Sequence, residues 1–241
     1  MGIRSHEYYS PIWYSTFLET VPAAQTRREV AFISRQMPLA SHREILDVCC
    51  GPGRHANQLA RAGYHVLGID NNAGAIDRAR TLASTTATFR VGDMRRLDTL
   101  GERFDGVVNL WASFGYFDDA SNAAVLGQMA HVLRPGGRAL IDVYHRDHML
   151  SLPASEKSTR GGVQVTTERE WLGNRFRVRL LYASGASDEF EWRLYTPDEL
   201  SEICAAAGLD TVLKCAWFDE SLPASAEHAR MQFVLERHAA P

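Results

Sequence analysis

The sequence predicts an α/β fold built on a doubly wound, mostly parallel sheet, and three observations carry that prediction. Apolar runs alternate with helix-period segments from 44 to 143, as parallel strands joined by crossover helices do. The first run, Ile45-Leu46-Asp47-Val48-Cys49-Cys50, turns through Gly51-Pro52-Gly53 into a helix-forming stretch that begins Arg54-His55-Ala56. From 162 to 195 the period changes to two, which predicts three antiparallel strands inserted into the first fold.

The chain has 241 residues, 45% of them hydrophobic, which suits a single domain (1–241) with an insertion at 160–195. A net charge of −3 leaves no surplus of Lys and Arg to neutralise phosphates, so nucleic acid is not the expected partner. No apolar run reaches the roughly 18 residues of a membrane span. The N-terminus lacks an apolar signal core, and His6 breaks the myristoylation pattern. Cys49, Cys50, Cys204 and Cys215 show no metal-ligand spacing, so no metal is expected. They read as small buried residues of a reducing, cytoplasmic compartment. A monomer and a homodimer both fit.

Residues 1–43 are expected to form a helical lid. Tyr8, Tyr9, Trp13, Tyr14 and Phe17 supply its rings, and Val30, Ile33 and Met37 recur at helical spacing before Pro38. A strand over 44–50 leads through the glycine turn into a helix with Leu59 and Ala60 inward, ended by Gly63. His55 is assigned to the surface of that helix or to loop support. The second strand, Val66–Asp70, is followed by a helix carrying Ile76, Ala79 and Leu82. The third is Ala87–Val91, and Gly92-Asp93-Met94 follows it directly. The fourth, Asp105–Leu110, runs into Trp111-Ala112-Ser113-Phe114-Gly115-Tyr116. A helix over 122–133, a turn at Arg134-Pro135-Gly136-Gly137 and a fifth strand over 138–143 come next. Thr196-Pro197-Asp198-Glu199 is a capped helix start. Strands near 211–218 and 231–236, joined by a loop containing Pro223, bring the sheet to seven.

In such sheets ligands bind at the carboxyl ends of the strands. Gly51 and Gly53 allow close approach to the main chain, and the helix that follows aims its free N–H groups at the same spot. A carboxylate at Asp70 suits the two hydroxyls of a ribose. A nucleoside-containing ligand is therefore expected. A dinucleotide would use the same turn, with Ala56 in the third small position of the pattern.

In this order the signals resemble the class I S-adenosylmethionine (SAM)-dependent methyltransferases over 44–143 and again over 195–236. The resemblance implies a Rossmann-like sheet with an antiparallel last strand. It matches Asp47–Gly53 to the family's acidic, glycine-rich turn, with Cys49 where the first glycine usually stands. It implies SAM as methyl donor, with Asp70 on the ribose, and Asp93 and Met94 at the adenine. Asp47, Gly51, Gly53, Asn71 and Asn109 fall on the same strand ends, and Arg54 or Tyr14 would take the methionine carboxylate. The Gly92-Asp93-Met94 segment and the antiparallel last strand have no role in the dinucleotide reading.

Asn109-Leu110-Trp111-Ala112 shares only its first residue with the motif of enzymes that methylate nucleobase amines. The loop through Tyr116, the early tyrosine and the inserted strands are similar to sugar-amine N-methyltransferases of natural-product pathways. The implied acceptor is a small molecule bearing an N, O or C nucleophile, held against Tyr9, Trp13, Trp111, Phe114 and Tyr116. His145, just past the fifth strand, is the candidate general base. Two other readings remain: a methyltransferase acting on RNA or protein, and a SAM-binding regulator without catalysis.

Overall fold

A computed structural model describes residues 9–238; Tyr8 of the aromatic cluster lies outside them. A short helix α1 (Pro11–Trp13) runs into a π-helical turn (Tyr14–Leu18) and then α2 (Ala23–Gln36). The alternating unit follows: β1 (Glu44–Val48), α3 (Arg54–Arg61), β2 (His65–Asp70), α4 (Ala73–Thr81) and β3 (Ala87–Val91). After a 3₁₀ segment (Met94–Leu100) come β4 (Phe104–Asn109), α5 (Asp119–Val132), β5 (Leu133–Tyr144) and α6 (Arg146–Ser151). The insertion holds β6 (Ser155–Arg160), β7 (Val163–Leu172), β8 (Arg175–Tyr182) and β9 (Ser187–Arg193). The chain returns through α7 (Pro197–Ala206), β10 (Leu209–Ala216), β11 (Asp219–Pro223) and β12 (Arg230–Arg237).

The main sheet has the order β11-β10-β12-β5-β4-β1-β2-β3. Strands β1 to β5 are parallel, and β12 is antiparallel to both β5 and β10. Successive residues of its inner strands point to opposite faces, and both faces are buried. Leu46, Val107, Leu67 and Ala139 join α5 and α7 on one side. Ile45, Val108, Val66 and Leu140 join α2, α3 and α4 on the other. This double burial explains why the strands read as unbroken apolar runs.

The sheet has eight strands where seven were expected. The extra one is β11, folded back on β10 through a two-residue turn at Trp217 and Phe218. Its sequence, Asp219-Glu220-Ser221-Leu222-Pro223, carries no apolar alternation, because an edge strand needs only one hydrogen-bonded side. The expected turn at 134–137 is drawn into β5 instead: Leu133 pairs with Phe104, and the register shifts before Arg138 meets Gly106.

The inserted sheet, β6-β7-β8-β9, has four antiparallel strands where three were expected. Strand β6 is almost wholly exposed and polar, so it left no periodic signal. One face buries Val165, Phe176, Val178, Phe190 and Trp192, and Tyr9, Ile12, Trp13 and Phe17 pack against them. Asp188 Oδ2 accepts from the Ser10 hydroxyl at 2.7 Å and from the Tyr182 hydroxyl at 2.6 Å, which ties the N-terminal segment to β9. By contrast α2 and its C-cap place Phe32, Ile33 and Met37 in the main core with no exposure. Residues 9–43 thus divide between two cores: those before α2 pack on the inserted sheet, and α2 packs on the main one.

Candidate functional site

The turn after β1 is built from left-handed residues. Gly51 and Gly53 have φ of 54° and 80°, and Cys49 has φ 62° although it carries a side chain. A left-handed residue other than glycine costs about 1–2 kcal/mol, so Cys49 sits in a conformation its neighbours impose. A Cβ on Gly53 would come within 2.8 Å of the Phe89 ring. The Cys49 thiol contacts Met94 Sδ at 3.8 Å, bringing the third strand's end to the first.

Asp70 ends β2 and braces this turn. Its Oδ2 accepts the Gly51 N–H and its Oδ1 the Asn72 N–H, each at 2.9 Å. Burial raises its pKa, and those two N–H groups oppose the rise. Asn72 then caps α4 through Ala75 N at 3.1 Å. The neighbouring Asn71 is exposed, so Asn72 is the asparagine built into this corner. The hydroxyl of Tyr14 lies beside Asp70 and Asn72, and burial first, then the Asp70 charge, push its pKa up to about 12.

Asp93 is half-buried and accepts the Arg95 N–H at 2.9 Å while pairing with that residue's guanidinium. The Arg95 hydrogen bond holds its carboxyl below the usual range. Met94 packs against the main core. Asn109 is fully buried, and its Nδ2 donates to the Val48 carbonyl at 3.1 Å, joining the ends of β4 and β1.

Beside the turn lies a buried ionic cluster. Glu29, on α2, is 2% exposed. It accepts from Arg54 Nη1 at 2.8 Å, Gln25 at 3.0 Å and the Trp111 indole N–H at 3.2 Å, and its Oε2 lies 2.7 Å from His55 Nε2. Burial alone would raise Glu29, but the His55 and Arg54 contacts outweigh it and bring its pKa down to about 2. His55 is buried rather than on the helix surface, and desolvation lowers its pKa to about 4. Arg54 stacks 4.4 Å from the Trp111 ring centre.

Three buried polar atoms at these strand ends have no partner: Asp47 Oδ2, Arg54 Nη2 and Asn109 Oδ1. Such groups cost free energy unless something fills the space between them. A carboxylate and a guanidinium so arranged complement an ammonium and a carboxylate, the two charged groups of an amino-acid end. Burial raises the pKa of Asp47 to about 7.

The loop after β4 closes the space above. Trp111 and Ala112 are left-handed, at φ 60° and 56°. Gly115 has φ 102°, and a Cβ there would lie 2.4 Å from the Arg193 carbonyl, so only glycine lets the loop pass β9 this closely. Tyr116 then meets Tyr9, hydroxyl to hydroxyl, at 2.5 Å. Burial raises the pKa of both phenols and of Tyr144, and the Cys49 thiol acts on Tyr9 and Tyr116. That mutual influence sets the hydroxyl pair beside the turn.

Trp13 stacks on Tyr9 at 3.9 Å between ring centres. Phe114, expected in the substrate wall, is 2% exposed and packs against Tyr195 in the main core. The Trp111 ring is held between two guanidiniums, with Arg230 5.5 Å away on the other contact.

His145, the expected base, is placed as a helix cap. It is 3% exposed, it caps α6, and its Nδ1 takes the His148 N–H at 3.5 Å. Burial lowers its pKa, and the charges that move it are Asp147 and His148 of its own helix. No group of the turn acts on it, so its placement just past β5 reflects capping.

Glu29, Asn72, Asp142 and Arg230 are not among the site residues expected from the sequence. A carboxylate inside Leu140-Ile141-Asp142-Val143 was the one available signal, because a charge within an apolar strand must be paired.

Residues 45–137 match a family model described as a methyltransferase domain. The chain is 30% identical over 174 residues to a ubiquinone biosynthesis O-methyltransferase of Dinoroseobacter shibae, covering 70% of this chain and 61% of that protein. It is 28% identical over 193 residues to the dTDP-3-amino-3,6-dideoxy-alpha-D-glucopyranose N,N-dimethyltransferase of Streptomyces fradiae, covering 74% of each. An amino pentose methyltransferase from Micromonospora echinaspora superposes with TM-score 0.73 at 21% identity, over 97% of this chain and all of that one. A SAM-dependent methyltransferase from Clostridium acetobutylicum superposes with TM-score 0.81 at 13% identity, over 95% of this chain and 97% of that one. These structural likenesses concern the fold.

Proposed function

We propose, from the match of residues 45–137 to a methyltransferase-domain model, that the chain is a SAM-dependent methyltransferase acting on an amino or hydroxyl group of a small molecule. One observation carries the acceptor class: the Tyr9–Tyr116 hydroxyl pair, 2.5 Å apart, beside the donor turn and among aromatic rings. Paired hydroxyls among aromatic rings suit a compact ring bearing one or two polar groups, while an RNA acceptor would need a basic groove. The net charge of −3 agrees. The amino-sugar specificity named for the S. fradiae relative makes an amine the first acceptor to test.

SAM supplies a methyl group already activated on a sulfonium. The protein's residues are left to bind, align and exclude water. In this reading Asp70 accepts the ribose hydroxyls, Met94 faces the adenine, Asp47 takes the ammonium and Arg54 the carboxylate. The phenols are neutral near pH 7 even at their ordinary pKa near 10, and burial pushes both further from ionisation. They therefore orient the acceptor by hydrogen bonding rather than deprotonating it. An amine that binds in its free-base form needs no further base and sheds its proton after transfer. All four cysteines are free, which suits a reducing cytoplasm, and no helix among the described residues is long and apolar enough to cross a membrane.

The test is methyl transfer from labelled SAM to a set of acceptors: a nucleotide-linked amino sugar, a catechol, and a short RNA. We expect label on the small molecules alone. We also expect Tyr9→Phe to cut kcat/KM for the acceptor by about tenfold, the worth of one hydrogen bond. Label on the RNA, or an unaffected Tyr9→Phe enzyme, defeats the reading.

A further inference from the structure

Asp142 is fully buried in β5. Its Oδ1 accepts from Arg230 Nε at 2.9 Å and from Gln232 Nε2 at 2.8 Å. Its Oδ2 accepts from Arg230 Nη2 and from the Trp111 N–H, the latter at 2.7 Å. Its backbone carbonyl takes the Ala112 N–H at 2.9 Å. One residue thus receives both N–H groups of the two successive left-handed, non-glycine positions that follow β4. Left-handed backbone at residues with side chains persists only where the surroundings hold it.

The turn it holds decides where the Trp111 indole goes. That ring lies 4.4 Å from the Arg54 guanidinium and 5.5 Å from that of Arg230, and its N–H reaches Glu29 at 3.2 Å. The two cations repel each other, since Arg54 lowers the pKa of Arg230. They are kept close by an anion behind each, Glu29 for Arg54 and Asp142 for Arg230. Arg54 is therefore fixed by Glu29 and Thr26 on Nη1 and by the indole face, with Nη2 left over and unpartnered.

We propose that Asp142, clamped by Arg230, is a positioning residue for the methyl donor: it sets the Trp111–Ala112 turn, and through the Trp111 indole it aims Arg54 at the donor's carboxylate. This rests on the reading of Arg54 given above. Neither Asp142 nor Arg230 touches the donor in this scheme. Both act at one end of it, the amino-acid end, and leave the nucleoside end to Asp70 and Met94.

Calorimetry with two probes separates the ends. S-adenosylhomocysteine carries the amino-acid group, and 5′-methylthioadenosine is the same nucleoside without it. We expect Asp142→Asn and Arg230→Lys each to weaken the first probe by about tenfold and the second by less than about twofold, as loss of a buried charge contact at one end requires. Arg54→Gln should give the same selective loss. If Arg54→Gln shifts neither probe, the carboxylate reading of Arg54 falls. If it shifts the ratio and neither Asp142→Asn nor Arg230→Lys does, the positioning role alone falls. Equal weakening of both probes overturns the proposal, because the pair would then hold the sheet end as a whole. So does failure of both variants to fold.

Discussion

The carboxylate of Asp70 accepts the backbone N–H of Gly51 at 2.9 Å, so the end of the second strand braces the turn after the first. The group that suits a ribose thus also shapes the loop that approaches it. Replacing it should disturb both, and Asp70→Asn should weaken S-adenosylhomocysteine binding by about 2 kcal/mol, the value of charged hydrogen bonds lost. Calorimetry at constant pH reads this directly. Unchanged affinity would remove Asp70 from the ribose.

Glu29 balances the Arg54 charge and hydrogen-bonds His55 in a setting only 2% exposed. Glu29→Gln leaves a buried guanidinium without its counter-charge, and unfolding in urea should show a loss of about 3 kcal/mol. Since the folded pKa of Glu29 is lowered to about 2 from 4.5, its stabilisation is present above pH 4.5 and disappears as the pH falls toward 2. The variant should therefore differ most from the parent near neutrality and converge with it in acid.

Asp47 runs the other way. Burial raises its folded pKa from 3.8 to about 7, so the fold holds a proton that the unfolded chain has released. Its contribution to stability thus declines as the pH climbs from about 4 to about 7, then stays level. The parent should lose stability relative to Asp47→Asn across that window. A donor ammonium placed beside Asp47 favours the ionised form, so S-adenosylhomocysteine binding near pH 7 should release a proton. Titrations in buffers of different ionisation heat would reveal it, and a binding heat independent of buffer would break the pairing.

His145 caps α6, and Asn is a good cap. His145→Asn should therefore keep the melting temperature and leave turnover within about threefold. A fall of about a hundredfold with the fold intact would restore the histidine as a base.

Trp217 is 48% exposed and takes φ 54° in the β10–β11 turn, where both central residues are left-handed. Asn suits such turns and Trp does not. Trp217→Asn should stabilise the chain by about 1 kcal/mol, seen as a higher urea midpoint with unchanged slope.

The alternation from 44 to 143, the glycine turn and the acid ending the second strand were all legible in the sequence. Each depends on local period, on local backbone freedom, or on a residue placed at a strand end by the pattern itself. The two edge strands β6 and β11 were not legible, because exposed polar strands bury too little to leave a pattern.

What the tertiary structure alone decided is which polar groups meet. Arg230 lies 88 positions from Asp142, and Trp111 lies 82 from Glu29. No local preference of either partner names the other. Residues 45–56 by themselves pointed to a nucleoside ligand. How firmly Arg54 is held beside that turn depends on a helix before it and two strands after it, because a buried charge is stable only where folding delivers its counter-charge.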